Sequence, residues 1–423
     1  MTEGKIVVGV DIGTSKIVSI IAKIDEENVN VLGVSETKSG GVRKGQIVDI
    51  EEAVLSINSS LEGAERMAGF SASHVIASIG GDHIESLNSR GVVAVSNPDA
   101  EITESDLVRV IDAAKAVSLP SSREVIHVLP RSYIVDGQQG VKAPLGMTGV
   151  RLEVDTHIIS AYSTSIRNLE KAFSEVGVDV DAVVFSGYAS SLSVLTDTER
   201  ELGVILVDIG AGTTDISIYT EGSVAYSSVL PIGARHITND LAIGLRISLE
   251  SAEKIKLLLS NPERKREQND MREKTDEIDL SPLNLSEELS KVSEKTLVEG
   301  IIKPRLNEIF TFVGLEIKKS GYGGQTPSGL VVTGGGALTV GVVDAAKRML
   351  AMPVRIGRPI NIKGIIDEIQ TPAFATVVGL AVYGRNIESQ SKLPFGLIIP
   401  QIPNIAVGKQ ISKIVSFVKS FMP

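Results

Sequence analysis

The chain reads as a two-lobed α/β protein built around one phosphate-binding cleft, and three observations lead there. VVGVDIGTSK (Val7 to Lys16) and VILVDIGAGTTDISIY (Val204 to Tyr219) are near copies. In each, an apolar run suited to a buried strand ends in Asp-Ile-Gly followed by hydroxyl residues, the composition of a tight hairpin. A third glycine run, LVVTGGGALTVG (Leu330 to Gly341), follows another strand-like stretch. Finally, 423 residues with an apolar fraction of 43% are too many for one ordinary core. Two matched hairpins then imply duplicated halves facing one nucleotide.

The first lobe opens with two apolar strands around the first glycine turn (Lys5 to Lys23), a third from Glu27 to Val34, an amphipathic helix from Glu52 to Met67 and a strand from His74 to Ile79. Strand, helix, strand is the grammar of an α/β layer. From Asp82 to Ser160 the texture changes to short β-like runs (Gly91 to Val95, Val125 to Leu129, Tyr133 to Val135, Glu153 to Ile159) around one helix, Thr103 to Val117. Thr103 followed by Asp106 is a capped helix start. This block reads as a compact inserted subdomain. The second lobe begins near Gly203 and resumes around Leu330, interrupted by helices from Ala234 to Ile317. Within that segment Asn261 to Lys295 is crowded with charge and reads as a loop or solvated helix rather than core. The expected division is therefore 1–81, 161–202 and 365–384 for lobe 1, 82–160 for the insert, 203–233 and 318–364 for lobe 2, and 234–317 for a helical subdomain. A proline-containing linker (385–408) and a terminal helix (409–423) complete it.

Composition removes several function classes. A net charge of −10 argues against a general nucleic-acid binder, because phosphate backbones are held mainly by Lys and Arg. With no cysteine there is neither a disulfide framework nor a thiolate metal site, and the five histidines are scattered. The N-terminal MTEGKIVVGVDIG carries an early acid and an Asp inside its apolar run, which argues against a signal peptide and fits a cytosolic setting. No uninterrupted apolar stretch reaches the roughly 18 to 20 residues of a spanning helix.

In a glycine turn, backbone N–H groups point into the concavity and bind phosphate oxygens, while hydroxyls and a Lys add donors and charge. Gly13, Thr14, Ser15 and Lys16 supply this set in the first hairpin, and Gly210, Gly212, Thr213 and Thr214 in the second. A Mg²⁺ bridging phosphates takes a few carboxylates directly or through water. Asp11 and Asp208 stand where those are needed, with Asp215 close behind. The third run, Gly334, Gly335, Gly336 and Ala337, is expected to open a helix whose N-terminus favours the α-phosphate.

In this order the three motifs resemble the phosphate-1, phosphate-2 and adenosine signatures of the actin, Hsp70 and hexokinase superfamily. Within it the chain resembles the FtsA cell-division proteins, through SGGVRKGQIVDIEEAV (Ser39 to Val54), VRLEVDTHIIS (Val150 to Ser160), PIGARHITNDLAIGLRISLESAEKIK (Pro231 to Lys256) and TPAFATVVGLAVYG (Thr371 to Gly384). The resemblance implies an actin-like fold with an FtsA-type inserted subdomain, ATP with Mg²⁺ as cofactors, and Glu253 and Lys256 on a helix against ribose and adenine. It also implies polymerisation with copies of itself, docking of the FtsZ C-terminal tail on the helical subdomain, and contacts of the insert with other divisome proteins. Arg305 is the candidate for pairing with an acidic tail, an internal salt bridge being the competing reading. One departure stands out: the segment matching the first connecting motif, VVFSGYASSLSVL (Val183 to Leu195), offers no carboxylate or Gln to orient an attacking water. Asp208 and Asp215 are then the candidates for catalysis, if hydrolysis occurs, and tight binding with slow or no turnover is expected.

The terminal GKQISKIVSFVKSFMP places Ile411, Ile414, Val415, Val418, Phe421 and Met422 on one helical face and Lys409, Lys413 and Lys419 on the other. So short a helix needs a surface to fold against. An anionic membrane surface suits both faces, and FtsA proteins carry a comparable membrane-targeting helix. Together these features lead to the expectation of an adaptor at the cytoplasmic face of the cell membrane, at the division site. The alternatives are a PilM-like adaptor of type IV pilus assembly, which would not need the terminal helix, and a soluble chaperone ATPase or small-molecule kinase. For those, the sequence offers no peptide-binding domain and no dedicated base.

Overall fold

The computed structural model describes residues 5–25, 28–97, 99–261, 276–364 and 369–387. The expected terminal helix and all but the first three residues of the expected linker lie outside them, those three closing the helix Ala375–Ile387.

Two sheets repeat one plan. In lobe 1, Val29–Lys38, Lys16–Ile24 and Lys5–Ile12 run antiparallel, and His74–Ile79 and Asp179–Phe185 continue the sheet in parallel. In lobe 2, Ser223–Leu230, Thr214–Thr220 and Val204–Ile209 are antiparallel, followed by parallel Leu330–Thr333 and Val354–Ile356. Each plan has a physical origin: tight turns pair neighbours antiparallel, whereas parallel neighbours need a long crossover. Lobe 1 gains a sixth strand, Ile362–Gly364, which pairs in parallel with Val29–Val31. The chain has thus returned to lobe 1 before residue 365, the point expected from the sequence.

The helix Ile50–Ala68 starts where the Asp49 carboxylate accepts the Glu52 N–H at 3.1 Å and lays Ile57, Leu61 and Ala64 into the lobe 1 core. Lobe 2 carries the helices Ala234–Leu245, Leu249–Ser260 and Lys303–Ser320, whose Ile237, Ile255 and Phe310 are fully buried in the second core. The charge-rich stretch before the last of them departs from expectation. Ile278 is nearly fully buried on a small two-stranded ribbon formed by Glu277–Asp279 and Lys291–Ser293, and Leu280, which directly follows that first strand, is completely buried. These two side chains belong to core despite the charges around them.

The insert is a four-stranded sheet in the order Glu85–Ala94, Arg151–Tyr162, Arg123–Val135, Gln138–Val141, covered by the helix Glu104–Lys115. That helix has the predicted cap: Asp106 Oδ2 accepts the Thr103 N–H at 2.9 Å and its hydroxyl at 2.6 Å. Two runs expected to be separate, Val125 to Leu129 and Tyr133 to Val135, form one strand through Pro130. A register shift between Asp155 and Thr156 absorbs Arg131 next to the proline.

Candidate nucleotide site

The two glycine turns have the same construction. In each, four residues separate the last paired positions, Ile12 with Ile17 and Ile209 with Thr214, and the first glycine closes the turn: Gly13 N–H donates to Lys16 O at 3.1 Å, and Gly210 N–H to Thr213 O at 2.9 Å. They face each other across a cleft of about 750 Å³ between the lobes. Of the residues singled out in the sequence, Asp11, Gly13, Thr14, Ser15, Lys16, Asp208, Gly210, Thr213, Asp215, Glu253, Lys256 and Gly334 to Gly336 line it.

Three others are placed differently. Thr214 is fully buried and its hydroxyl donates to Ile232 O at 2.7 Å, because it follows Thr213 in an extended strand and turns to the opposite face. Ala337 packs in the lobe 2 core. Gly212 faces the first hairpin, where an added Cβ would come within 2.8 Å of Thr14 Oγ1, so its smallness serves the approach of the two turns. The third glycine run opens only a short 3₁₀ turn, Gly335–Leu338, and the α-helix waits until Val342–Leu350. Gly334 has φ +81°, and a Cβ there would meet Asp208 Oδ1 at 2.1 Å, which fixes glycine at this corner.

Three carboxylates lie at the floor of the cleft. Asp208 and Asp215 are directly opposed in the strand register, and both are buried. Ser78 Oγ donates to Asp11 Oδ1 at 2.7 Å, Thr376 Oγ1 to Asp208 Oδ2 at 3.2 Å, and Ser186 Oγ to Asp215 Oδ2 at 2.7 Å. Burial raises all three pKa values. Repulsion adds to the rise for Asp215, mainly from Asp208, whereas the Ser78 hydrogen bond and Lys16 moderate it for Asp11. Asp215 Oδ1 is buried with no hydrogen-bond partner. An unsatisfied oxygen in an excess of negative charge is the environment a divalent cation relieves. Among the described residues, no three His, Asp or Glu side chains converge closely enough to hold a metal by themselves. The donor set thus fits Mg²⁺ completed by phosphate oxygens and water.

Further along, Lys256 Nζ bonds Glu253 Oε2 at 2.7 Å and Thr238 Oγ1 at 2.9 Å, and Thr238 donates to Glu253 Oε2 at 2.6 Å. This knot joins the helices Ala234–Leu245 and Leu249–Ser260 at the cleft wall. Leu249, Leu257 and Leu338 also line the cleft, each more than 40% exposed, and offer an apolar surface for a planar base. Arg305 is held elsewhere: its guanidinium grips Asp240 through Nε (2.6 Å) and Nη2 (2.8 Å), and Nη1 bonds Glu308. The internal salt bridge is thus realised.

Sequence reasoning missed Ser186, Thr238, Thr376, Glu36 and Arg235, all of which line the cleft. Ser186 comes from the very segment expected to be inert, and it orients Asp215. Thr238 and Thr376 sit inside stretches quoted for the resemblance, but their spacing does not mark them.

Solved structures with the same architecture define the class. The PilM–PilN type IV pilus biogenesis complex matches with a TM-score of 0.63 at 14% identity, over 89% of this chain and 98% of that one. MreB5 of Spiroplasma citri bound to ADP matches with 0.52 at 12%, over 92% and 98%. At such identities the likeness speaks for the fold alone, and that fold is actin-like with an α/β core in each lobe. Residues 81–160 match the SHS2 domain inserted in FTSA, and residues 205–379 match the family described as cell division protein FtsA. A cell division protein FtsA from Pseudomonas aeruginosa is 40% identical over 387 residues, covering 91% of each chain. Another from Borreliella burgdorferi is 38% identical, over 92% of this chain and 93% of that one, and one from Escherichia coli K12 is 33% identical over 91% of each. The chain belongs to the FtsA family of cell-division proteins.

Proposed function

We propose that this chain is an ATP-binding adaptor of cell division. It polymerises on the cytoplasmic face of the membrane at the division site, ties FtsZ filaments to that membrane and recruits later divisome proteins. The observation that carries the nucleotide part is the pair of matched glycine turns facing each other over three buried carboxylates, with Asp215 Oδ1 unpartnered. In this reading Gly13 to Lys16 and Gly210 to Thr213 bind the phosphates, and Asp11, Asp208 and Asp215 hold Mg²⁺ with its waters. Glu253 and Lys256 stand beside the ribose and base. Mg²⁺ supplies charge neutralisation between the phosphates and the carboxylates. Hydrolysis is slow, because the one polar side chain that the first connecting segment turns to Asp215 is the Ser186 hydroxyl, and a hydroxyl is no general base at neutral pH.

The tether rests on the terminal stripe of Ile411, Ile414, Val415, Val418, Phe421 and Met422 with Lys409, Lys413 and Lys419. Weak single helices gain avidity when a filament presents many of them. Among the described residues no helix is long and apolar enough to cross a membrane, so attachment falls to this segment. With Arg305 committed to Asp240, the FtsZ tail is not assigned to that side chain.

The test is sedimentation with anionic liposomes in Mg²⁺-ATP, with and without FtsZ, comparing the full chain with one ending at Gly408. Pelleting of both the chain and FtsZ only when the last fifteen residues are present is the expected result. Equal pelleting of the two versions sinks the membrane tether.

A further inference from the structure

The insert touches both lobes, through junctions of different chemistry. Its joint with lobe 1 is apolar core: Ile84, Leu129 and Ile159 share one buried cluster with Phe173 and Phe185. There the Phe185 N–H also donates to His127 Nε2 at 3.0 Å, inside fully buried surroundings. Its joint with lobe 2 is made by side-chain hydrogen bonds to the edge strand Ser223–Leu230 and to Tyr322. Ser86 Oγ donates to Ser227 O at 2.7 Å and accepts the Ser227 N–H at 3.2 Å. Asn88 Nδ2 donates to Ala225 O (3.1 Å) and Tyr322 Oη (3.2 Å), while its Oδ1 lies 2.7 Å from His157 Nδ1. His157 Nε2 in turn lies 3.0 Å from Ser227 Oγ, and Arg131 Nη1 donates to Tyr322 Oη at 3.2 Å.

This clasp lies on the edge strand of the lobe 2 sheet, beside the strand that carries Asp215. In the hairpin that carries Asp215, Asp215 pairs with Val229, whereas Ile218 pairs with Tyr226 and Thr220 with Ser223. Ser227 pairs with Ser217, so the clasp begins two residues from Asp215 and runs along the same two strands toward their far turn. Beside the clasp, the helix Ser186–Val194 of lobe 1 packs against lobe 2, with Ser191 Oγ against Tyr219 Oη at 2.5 Å. Because the insert is joined to lobe 1 and hydrogen-bonded to lobe 2, a rotation of lobe 2 against lobe 1 must displace the clasp. The insert's last strand, Arg151–Tyr162, runs directly into the lobe 1 helix Ser163–Val176, which ties it to lobe 1, whereas hydrogen-bonded polar contacts between domains are the separable kind.

We infer that the insert is a brace: joined to lobe 1 and clasped to lobe 2 through Asn88, His157, Ser227 and Tyr322, it restrains the angle between the lobes. The brace does not depend on what the cleft binds. His157 is kept neutral by burial, with Arg131 nearby, so the clasp is a network of neutral hydrogen bonds and does not titrate near neutral pH.

The chain has no cysteine, so introduced pairs can be spin-labelled uniquely. Exposed Glu51 (lobe 1), Lys347 (lobe 2) and Asp112 (insert) suit this purpose. Pulsed electron paramagnetic resonance on the full chain compares Glu51→Cys/Lys347→Cys and Glu51→Cys/Asp112→Cys, each with and without Asn88→Ala plus Tyr322→Phe. The expected result is a broadened and shifted distance between the lobes in the clasp variant, with the distance from lobe 1 to the insert unchanged. An unchanged interlobe distribution overturns the brace. So does movement of the insert relative to lobe 1. Asn88 is exposed and Tyr322 keeps its ring, so neither change removes core. Should the double variant fail to fold, Asn88→Ala alone carries the same test.

Discussion

The two glycine hairpins share a backbone and differ in charge. Position for position, Asp11 matches Asp208 and Gly13 matches Gly210, but Lys16 stands where the second turn has Thr213, and Val18 where it has Asp215. One hairpin pairs an acid with a cation and the other sets two acids side by side. On the proposed function the duplicated turn divides labour: only the first brings a cation to the phosphates, and the second adds two acids to the one, Asp11, that the first contributes toward Mg²⁺. Backbone geometry alone would make both halves phosphate binders. Side chains give them different chemistries.

The largest effect should come from testing how equal the two turns are as backbones. A Cβ on Gly13 would lie 2.6 Å from Lys16 O, the carbonyl that closes the turn, whereas one on Gly210 would lie 3.2 Å from Thr213 O. The first contact forces the turn apart and the second needs a shift of a few tenths of an ångström. Gly13→Ala is therefore expected to cost about 2 kcal/mol more than Gly210→Ala in chemical denaturation. Equal costs would mean the two turns relax alike and that the backbone asymmetry is illusory.

Next comes charge. Asp215 has its pKa raised by burial and by Asp208, so its ionised form is disfavoured in the fold. Sign follows from linkage. The folded state holds a proton that the unfolded chain releases near the ordinary Asp value of about 3.9, so stability falls as pH rises from there to the raised pKa. Asp215→Asn removes the Asp215 share of this slope and leaves that of Asp11 and Asp208. Without Mg²⁺, the variant should be more stable than the parent by on the order of 1–2 kcal/mol at the upper end of the window, and the gap should close toward acid. Mg²⁺-nucleotide should stabilise the parent and lose most of that effect in the variant. A parent whose melting temperature is flat across the window refutes the account.

Both turns were legible in the sequence because everything that makes them is local: an apolar run, one acid, glycine and hydroxyls within a few residues. Their unlike charge was legible too. What makes Asp215 unusual was not, because it depends on Ser186 arriving from another element and on burial by both lobes. Ala337 and Thr214 were misplaced for a related reason. Composition marks a segment, but only the strand's alternation and the core's position decide which side chain turns inward. Leu280 shows the converse: two apolar residues between charges carry too little periodicity to be seen as core, yet one fully buried side chain anchors the ribbon. The terminal stripe lies outside the described residues, so its evidence stays at the level of the sequence.

The smallest effect tests the cation of the first hairpin. Lys16 Nζ rests 2.6 Å from Glu36 Oε2 and 4.0 Å from the Phe374 ring, and Glu36 also lines the cleft. The pair is partly exposed, with side chains 28% and 56% accessible, so it contributes under about 1 kcal/mol to folding. Its influence on a phosphate is of another kind, since Glu36 adds an anion to the cleft and holds the lysine away from full engagement. Glu36→Gln removes that charge while keeping the shape. Nucleotide affinity is expected to rise roughly threefold at low salt, which corresponds to about 0.6 kcal/mol, and the gain should shrink as ionic strength rises. Lys16→Gln should lower affinity by about tenfold with little change in stability. If both substitutions leave affinity untouched, Lys16 does not reach the phosphates, and the two hairpins divide their labour by the acids of the second alone.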